Sequence, residues 1–227
     1  MSQLSRKYSI ATVSLCLGFS LYQIAIAQTE EWIPLFNGGD LTGWKANADP
    51  GAFTVKDGIL TAHATHPTNR GHLFTVDEKG EPLRFTDFEL IVVARGEESS
   101  NSGIFFHTDM ETRDGKLHLK NGYEIQLNST EKEKRKTGSL YDVRDLETSA
   151  VDETDWFTVR ILVEGKHIQA WINDTQTVDY IEPENPKRSP QRAGRLLNPN
   201  GGAIALQAHD DKSTFHFREI RIRPLTD

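Results

Sequence analysis

Two stretches, FTVKDGILTAHA (53–64) and WFTVRILVEGKHIQAWIN (156–173), each set two runs of alternating apolar and polar residues around an acidic-Gly pair. Alternation with a period of two places one set of side chains on each face of a strand. The Asp57-Gly58 and Glu164-Gly165 pairs supply the positive φ that a tight hairpin turn requires. Shorter runs of the same type occupy 87–95, 102–108, 122–128, 202–209 and 213–223. No window repeats apolar residues at i, i+3, i+4 and i+7 over a helical length. The chain therefore reads as all-β, a sandwich or jelly roll. Segments 65–84 and 182–201 are rich in glycine and proline and read as long loops, which in a compact domain either form a site or move. The run EKEKRK (131–136) reads as a solvated loop because acids interrupt its charge.

The N-terminus has its own logic. Arg6 and Lys7 precede an apolar stretch from Tyr8 to about Leu21, and Ala25-Ile26-Ala27 supplies a small-x-small cleavage pattern. This is the pattern of a secretory signal, residues 1–27, with export to the periplasm or the medium. The stretch is short for a bilayer span, so no membrane insertion of the mature chain is expected. Residues 28–227 form one domain, long enough to bury a core. Loss of Arg6 and Lys7 lowers the basic residues from 26 to 24 against 33 acidic ones, a net charge of −9. Such a surface does not suit nucleic acid, which is held by clustered cations. The single cysteine, Cys16, leaves with the signal, so no disulfide or thiolate chemistry is expected.

Several runs carry polar residues where a sheet face meets solvent. In NGYEIQLNST, Tyr123, Ile125 and Leu127 oppose Glu124, Gln126 and Asn128. In IALQAHD, Gln207 and His209 share one face. In NSGIFFHTD, Gly103, Phe105 and His107 share one, and in DFELIVV, Glu89 opposes Phe88 and Leu90. Gathered in one sheet, these amides and carboxylates could orient sugar hydroxyls through paired donors and acceptors. The histidines with a carboxylate could hold a divalent metal or move a proton. The plainer reading is one wet face of an antiparallel sheet. His72 and His118 read as surface positions, and Trp44, Trp156 and Trp171 as packing residues more than sugar platforms. No Glu-x-Asp-x-x-Glu strand, Gly-x-Ser-x-Gly elbow, His-Glu-x-x-His or phosphate-cradling loop is present, so ordinary two-carboxylate glycoside hydrolysis is not signalled.

The fragments WIPLFNGGDLTGWKA, FTVKDGILTAH, DFELIVVAR, NSGIFFH, GYEIQLN, TGSLYD, WFTVRILVEGKHIQAWIND and GGAIALQAHD, ending in FHFREIRIRPL, occur in the order found in one family. From about Trp32 to Leu225 the chain resembles the 3-keto-disaccharide hydrolase domain family. The resemblance implies a concanavalin A-like jelly roll of two antiparallel sheets, the more concave one carrying the site. It also implies an exported enzyme acting on a small carbohydrate, a glycoside whose glucose ring is oxidised at carbon 3.

The family's motifs fall on Asn101-Ser102-Gly103, on Tyr123, Glu124 and Gln126, on Thr137, Gly138 and Tyr141, on Leu206, Gln207 and His209, and on Phe217-Arg218. His107 stands where many relatives carry Arg, and Asp210 where they carry Gly. The implied catalytic groups are Glu124, His107 and His209, with either histidine as base and Glu124 as base or ligand. Asn101, Gln126, Tyr141, Gln207, Glu89 and Arg218 are the implied substrate contacts. A divalent metal shared by His107, Glu124 and His209 would stabilise an enediolate. The alternatives are a non-catalytic carbohydrate-binding module and an exported interaction domain, since the same sandwich serves all three.

Overall fold

The computed structural model describes residues 31–67, 70–113 and 116–225, so the expected export signal lies outside them. Fourteen strands succeed one another among the described residues: β1 (Ile33–Pro34), β2 (Trp44–Ala46), β3 (Phe53–Lys56), β4 (Ile59–Ala62), β5 (Gly71–Thr75), β6 (Phe88–Gly96), β7 (Asn101–Arg113), β8 (Lys116–Lys120), β9 (Tyr123–Asn128), β10 (Phe157–Glu164), β11 (His167–Ile172), β12 (Thr175–Ile181), β13 (Ala203–Ala208) and β14 (Phe215–Pro224). They form two antiparallel sheets. The eight-stranded one runs β12-β11-β10-β6-β14-β4-β3 with β1 beside β14. The six-stranded one runs β2-β5-β13-β7-β8 with β9 beside β7. The all-β sandwich and both hairpins, β3–β4 and β10–β11, are as expected. Asp57 and Gly58 take the positive φ values the first turn demands, 52° and 79°.

The loop expected over 65–84 contains a strand instead. In β5, Leu73 enters the core while His72 and Phe74 face the other way, the alternation of a strand bonded on both edges, to β2 and β13. Short strands of this kind gain their stability from cross-strand partners rather than from local propensity.

Between the sheets, Leu60, Phe88, Leu90, Val92, Val159, Ile161, Phe217 and Ile222 meet Leu73, Ile104, Phe106, Ile125, Leu127, Ile204 and Leu206 in one continuous core. Each such side chain contributes about 1.5–3 kcal/mol by leaving water. The outer face of the six-stranded sheet is not a wet face. Phe74, Val76, Phe105, Ala203 and Ala205 form a second apolar cluster there, with Met110 and Leu119 packed on it. Strands β9 and β13 are consequently buried at every position. Polar residues on that face sit in a cleft with restricted water.

Candidate active site

The register of the six-stranded sheet sets the floor of this cleft in rows. Gln207 pairs with His72 on one side, and its strand runs on to place it beside Gly103, which pairs with Gln126. One row is thus His72, Gln207, Gly103 and Gln126. The next is Phe74, Ala205, Phe105 and Glu124. His209 and Asn101 continue the pattern beyond the first row. The cleft, about 730 Å³, is lined by these polar side chains together with Arg70, His118, Glu133, Tyr141, Arg192 and Arg195. Glycine is required at 103, because a Cβ there would lie 2.5 Å from Glu124 Oε1. The missing side chain is the room into which the Glu124 carboxylate folds.

Two hydrogen-bonded pairs present a side chain to the cleft. Arg195 donates to Glu124 Oε2 at 2.6 Å, and both side chains are buried. Burial pushes the Glu124 carboxyl above the usual carboxylate range, with Arg195 and Arg192 opposing it. His209 donates from Nδ1 to Asp210 Oδ2 at 2.8 Å, which leaves Nε2 as the lone-pair nitrogen. Burial holds His209 below its ordinary value, the Asp210 bond working against this. Burial also disfavours the Asp210 carboxylate. Hydrogen bonds from His209, Ser213 and the Lys212 amide nevertheless hold it below the usual range. His209 is therefore neutral near pH 7, and a proton taken at Nε2 would be stabilised by Asp210.

Asn101 Oδ1 accepts from Gln126 Nε2 at 3.0 Å, and the buried Gln126 Oε1 has no partner among the described residues. Gln207 Nε2 donates to His72 Nε2 at 3.2 Å. Tyr141 donates to Glu133 at 3.2 Å, and Arg135, Arg192 and Arg195 lie over its ring. Of the expected site residues, Glu124, His209, Asn101, Gln126, Tyr141 and Gln207 thus meet in one cleft.

Three expected residues do not. His107 departs from the alternation at a bulge, where Phe105 pairs with Ala205 but Thr108 pairs with Ala203. Two residues there oppose one, and His107 takes a φ of 53°. Its ring turns toward Phe88 and Phe106, Nε2 donates to the Thr86 carbonyl at 2.8 Å, and Nδ1 accepts from the Asn198 amide at 3.1 Å. Glu89 belongs to β6 of the other sheet, across the core, where Arg160 and Arg223 hold it. Arg218 is exposed at the bulge of β14, on that same sheet, over the Trp156 ring. Nor does Asn128 line the cleft, since its side chain is bonded to Thr130, Glu133 and Arg135 and organises that loop. A divalent ion shared by His107, Glu124 and His209 does not fit this arrangement. Among the described residues no three of His, Cys, Asp and Glu are placed to hold one.

Other cleft residues carry no mark in the sequence. The 182–201 segment delivers Arg192 and Arg195, and three anchors fix it. Arg188 binds Tyr123 and Tyr180, Glu182 accepts from the Leu197 amide, and His107 holds Asn198. Its length and proline content are a sign of site formation, but nothing distinguishes the arginines that enter. Glu133 arrives from the run expected to be a solvated loop.

His72, expected at the surface, lies in the cleft floor. Burial, helped by Arg70, Arg195 and His209, pushes its pKa down to about 3. Because the unfolded chain binds a proton there near pH 6.5 and the folded one does not, this stability is present above pH 6.5. It is lost as pH falls from 6.5 toward 3. From pH 6.5 to 4 the loss is about 3 kcal/mol. Urea unfolding of wild type and His72→Gln at both pH values should show the loss, with the variant flatter by that amount. Parallel curves would refute it.

The sequence matches the family described as 3-keto-alpha-glucoside-1,2-lyase-like domain over residues 31–223. No curated protein matches. Two crystal structures from Parabacteroides distasonis, both described as candidate glycosyl hydrolases, share the fold. One is 22% identical, covering 87% of this chain and 95% of that one, with a TM-score of 0.67. The other is 24% identical, covering 86% and 100%, with a TM-score of 0.64. The carbohydrate binding module CBM66 from Bacillus subtilis is also similar, at 13% identity, 80% and 95% coverage and a TM-score of 0.53. With the sandwich, the polar cleft and a match over nearly every described residue, the chain belongs to the family of 3-keto-alpha-glucoside-1,2-lyase-like domains.

Proposed function

We propose that this chain is an exported enzyme that cleaves 3-keto-glycosides by elimination and hydration, with net hydrolysis of the glycosidic bond. The observation that carries the reading is that one restricted cleft is lined by an ion pair, Glu124–Arg195, and by a neutral histidine, His209, backed by the Asp210 carboxylate. The 3-oxo group acidifies the proton on C2. His209 Nε2 takes that proton, and the C–H electrons form a C2–C3 double bond with negative charge on O3. Asp210 stabilises the imidazolium so formed. Arg195, oriented by Glu124, faces the developing oxyanion in a site of low dielectric, where a fixed cation acts strongly. The enolate then returns its electrons and expels the oxygen on C1. The imidazolium is the proton source for that leaving oxygen. Water adds at C1 and a proton at C2 to complete the hydrolysis. Asn101, Gln126, Gln207 and Tyr141 are assigned to the sugar hydroxyls, and the unpartnered Gln126 Oε1 is a natural acceptor for one.

The likeness to CBM66 favours a second reading, a binding module without turnover. Aglycone release from a 3-keto-glucoside and from its unoxidised counterpart separates the two. Release from the keto sugar alone supports the enzyme. Saturable binding of both without release supports the module.

A further inference from the structure

Beside the cleft lies a second compartment, about 550 Å³, which shares Arg70, Asn101, Glu133 and His209 with it. Its remaining wall comes from Pro67, Ser99, Thr130, Lys132 and the segment 210–213. Its acids are mostly engaged. Asp210 holds His209 and the Lys212 amide. Glu133 holds the Arg135 amide and guanidinium and the Tyr141 hydroxyl. The cations are not. Among the described residues, Arg70, Lys132 and Lys212 have no carboxylate partner for their side chains, and Asp211 alone faces them unpaired. Acids and cations are equal in number on this wall, and the cations are the groups left without a partner, in a chain whose net charge is −7. Arg70 is its centre. The field of its guanidinium depresses the proton affinity of His72, Glu124 and His209 alike, so the unpaired charge stands within reach of all three.

We propose that this compartment receives the leaving part of the glycoside, and that this part carries an anionic group, a carboxylate, sulfate ester or phosphate ester, bound by Arg70 with Lys132 and Lys212. The choice of leaving part rests on the function proposed above, with His209 standing where the two spaces meet. The anion rests on the charges themselves. A guanidinium presents parallel N–H donors that match a carboxylate, sulfate or phosphate edge, and two flexible ammonium groups add charge without demanding geometry. Cations without carboxylate partners in an otherwise acidic surface also attract anionic ligands.

Four aryl glucosides test it: an uncharged 4-(hydroxymethyl)phenyl form and its 4-carboxy, 4-sulfate and 4-phosphate counterparts. Each is titrated against the full protein by calorimetry in unoxidised form, and each is assayed for turnover as the 3-keto sugar. The expected result is at least ~10-fold tighter binding of one or more anionic forms in low salt, since charge pairs in a recess are screened little until ionic strength rises. That advantage should shrink in 0.5 M salt, and Arg70→Gln should bring the ratio near one. The ranking of the three anions identifies the group. Equal affinity for charged and uncharged forms, a preference untouched by Arg70→Gln, or no binding by any form would overturn the assignment. Anion preference without turnover of any keto sugar would sink the proposed reaction and leave the anion site standing. Turnover without preference would do the reverse.

Discussion

Arg195→Met is expected to cost the fold about 3–5 kcal/mol, because it strands the Glu124 carboxylate in a buried site with its direct ion-pair partner gone. The two groups are 2.6 Å apart, and each side chain is largely withdrawn from water. The loop bearing Arg195 should keep its place. Its other fastenings, Arg188 on Tyr123 and Tyr180 and Asn198 on His107, do not involve the lost guanidinium. The penalty then belongs to the charge, and it should track pH. A carboxyl whose folded pKa is raised above the unfolded value loses stability as pH climbs from the unfolded pKa toward the folded one. The deficit is therefore smallest near pH 4 and grows toward neutrality. Glu124→Gln in the same chain should restore most of the loss, since an amide needs no counter-charge. Urea unfolding of the two single variants and the double variant closes the cycle. A coupling below about 0.5 kcal/mol would show that the pair is solvated and structurally idle. Turnover of a 3-keto-glucoside should fall at least ~100-fold in Arg195→Met, the usual consequence of removing one donor from an oxyanion site.

The fold is legible in the sequence because alternation is a local signal, and Phe88, Leu90, Ile104, Phe106, Ile125 and Leu127 all enter the core as their spacing requires. The shared face of Glu124, Gln126, Gln207 and His209 is legible for the same reason. His107 is not, because one extra residue at a bulge reverses the face of every later side chain in the strand, and no residue type marks it. Glu89 fails differently. Its alternation is regular, but which sheet a strand joins is decided by long-range pairing, and β6 lies between β10 and β14. His72 is hidden in a strand too short to stand out between loop residues. Arg195 is hidden because loop positions have no periodicity to read. What enters a cleft from a loop depends on where its ends are tied, here by Tyr123, Tyr180 and His107.

His209→Asn should remove between about 10²- and 10⁴-fold of turnover while leaving the fold intact. His209 closes the end of its strand and is held by one side-chain bond, to Asp210, so its loss opens no core cavity. Circular dichroism and the unfolding midpoint should match wild type, and the affinity for an unreacted glucoside should change little, because the amide retains a hydrogen-bonding edge toward the cleft. The decisive reading is proton exchange at C2. In D₂O the wild type should place deuterium there whenever the enolate is reprotonated before the aglycone departs, and the variant should not. Loss of aglycone release with C2 exchange intact would move His209 from the base to the leaving-group side of the reaction. Retention of both would leave Glu124 as the proton acceptor. Its raised pKa then becomes the relevant property, because a carboxylate of that kind is a stronger base than an ordinary one and sits within the same row of the sheet as Phe105, against the space left by Gly103.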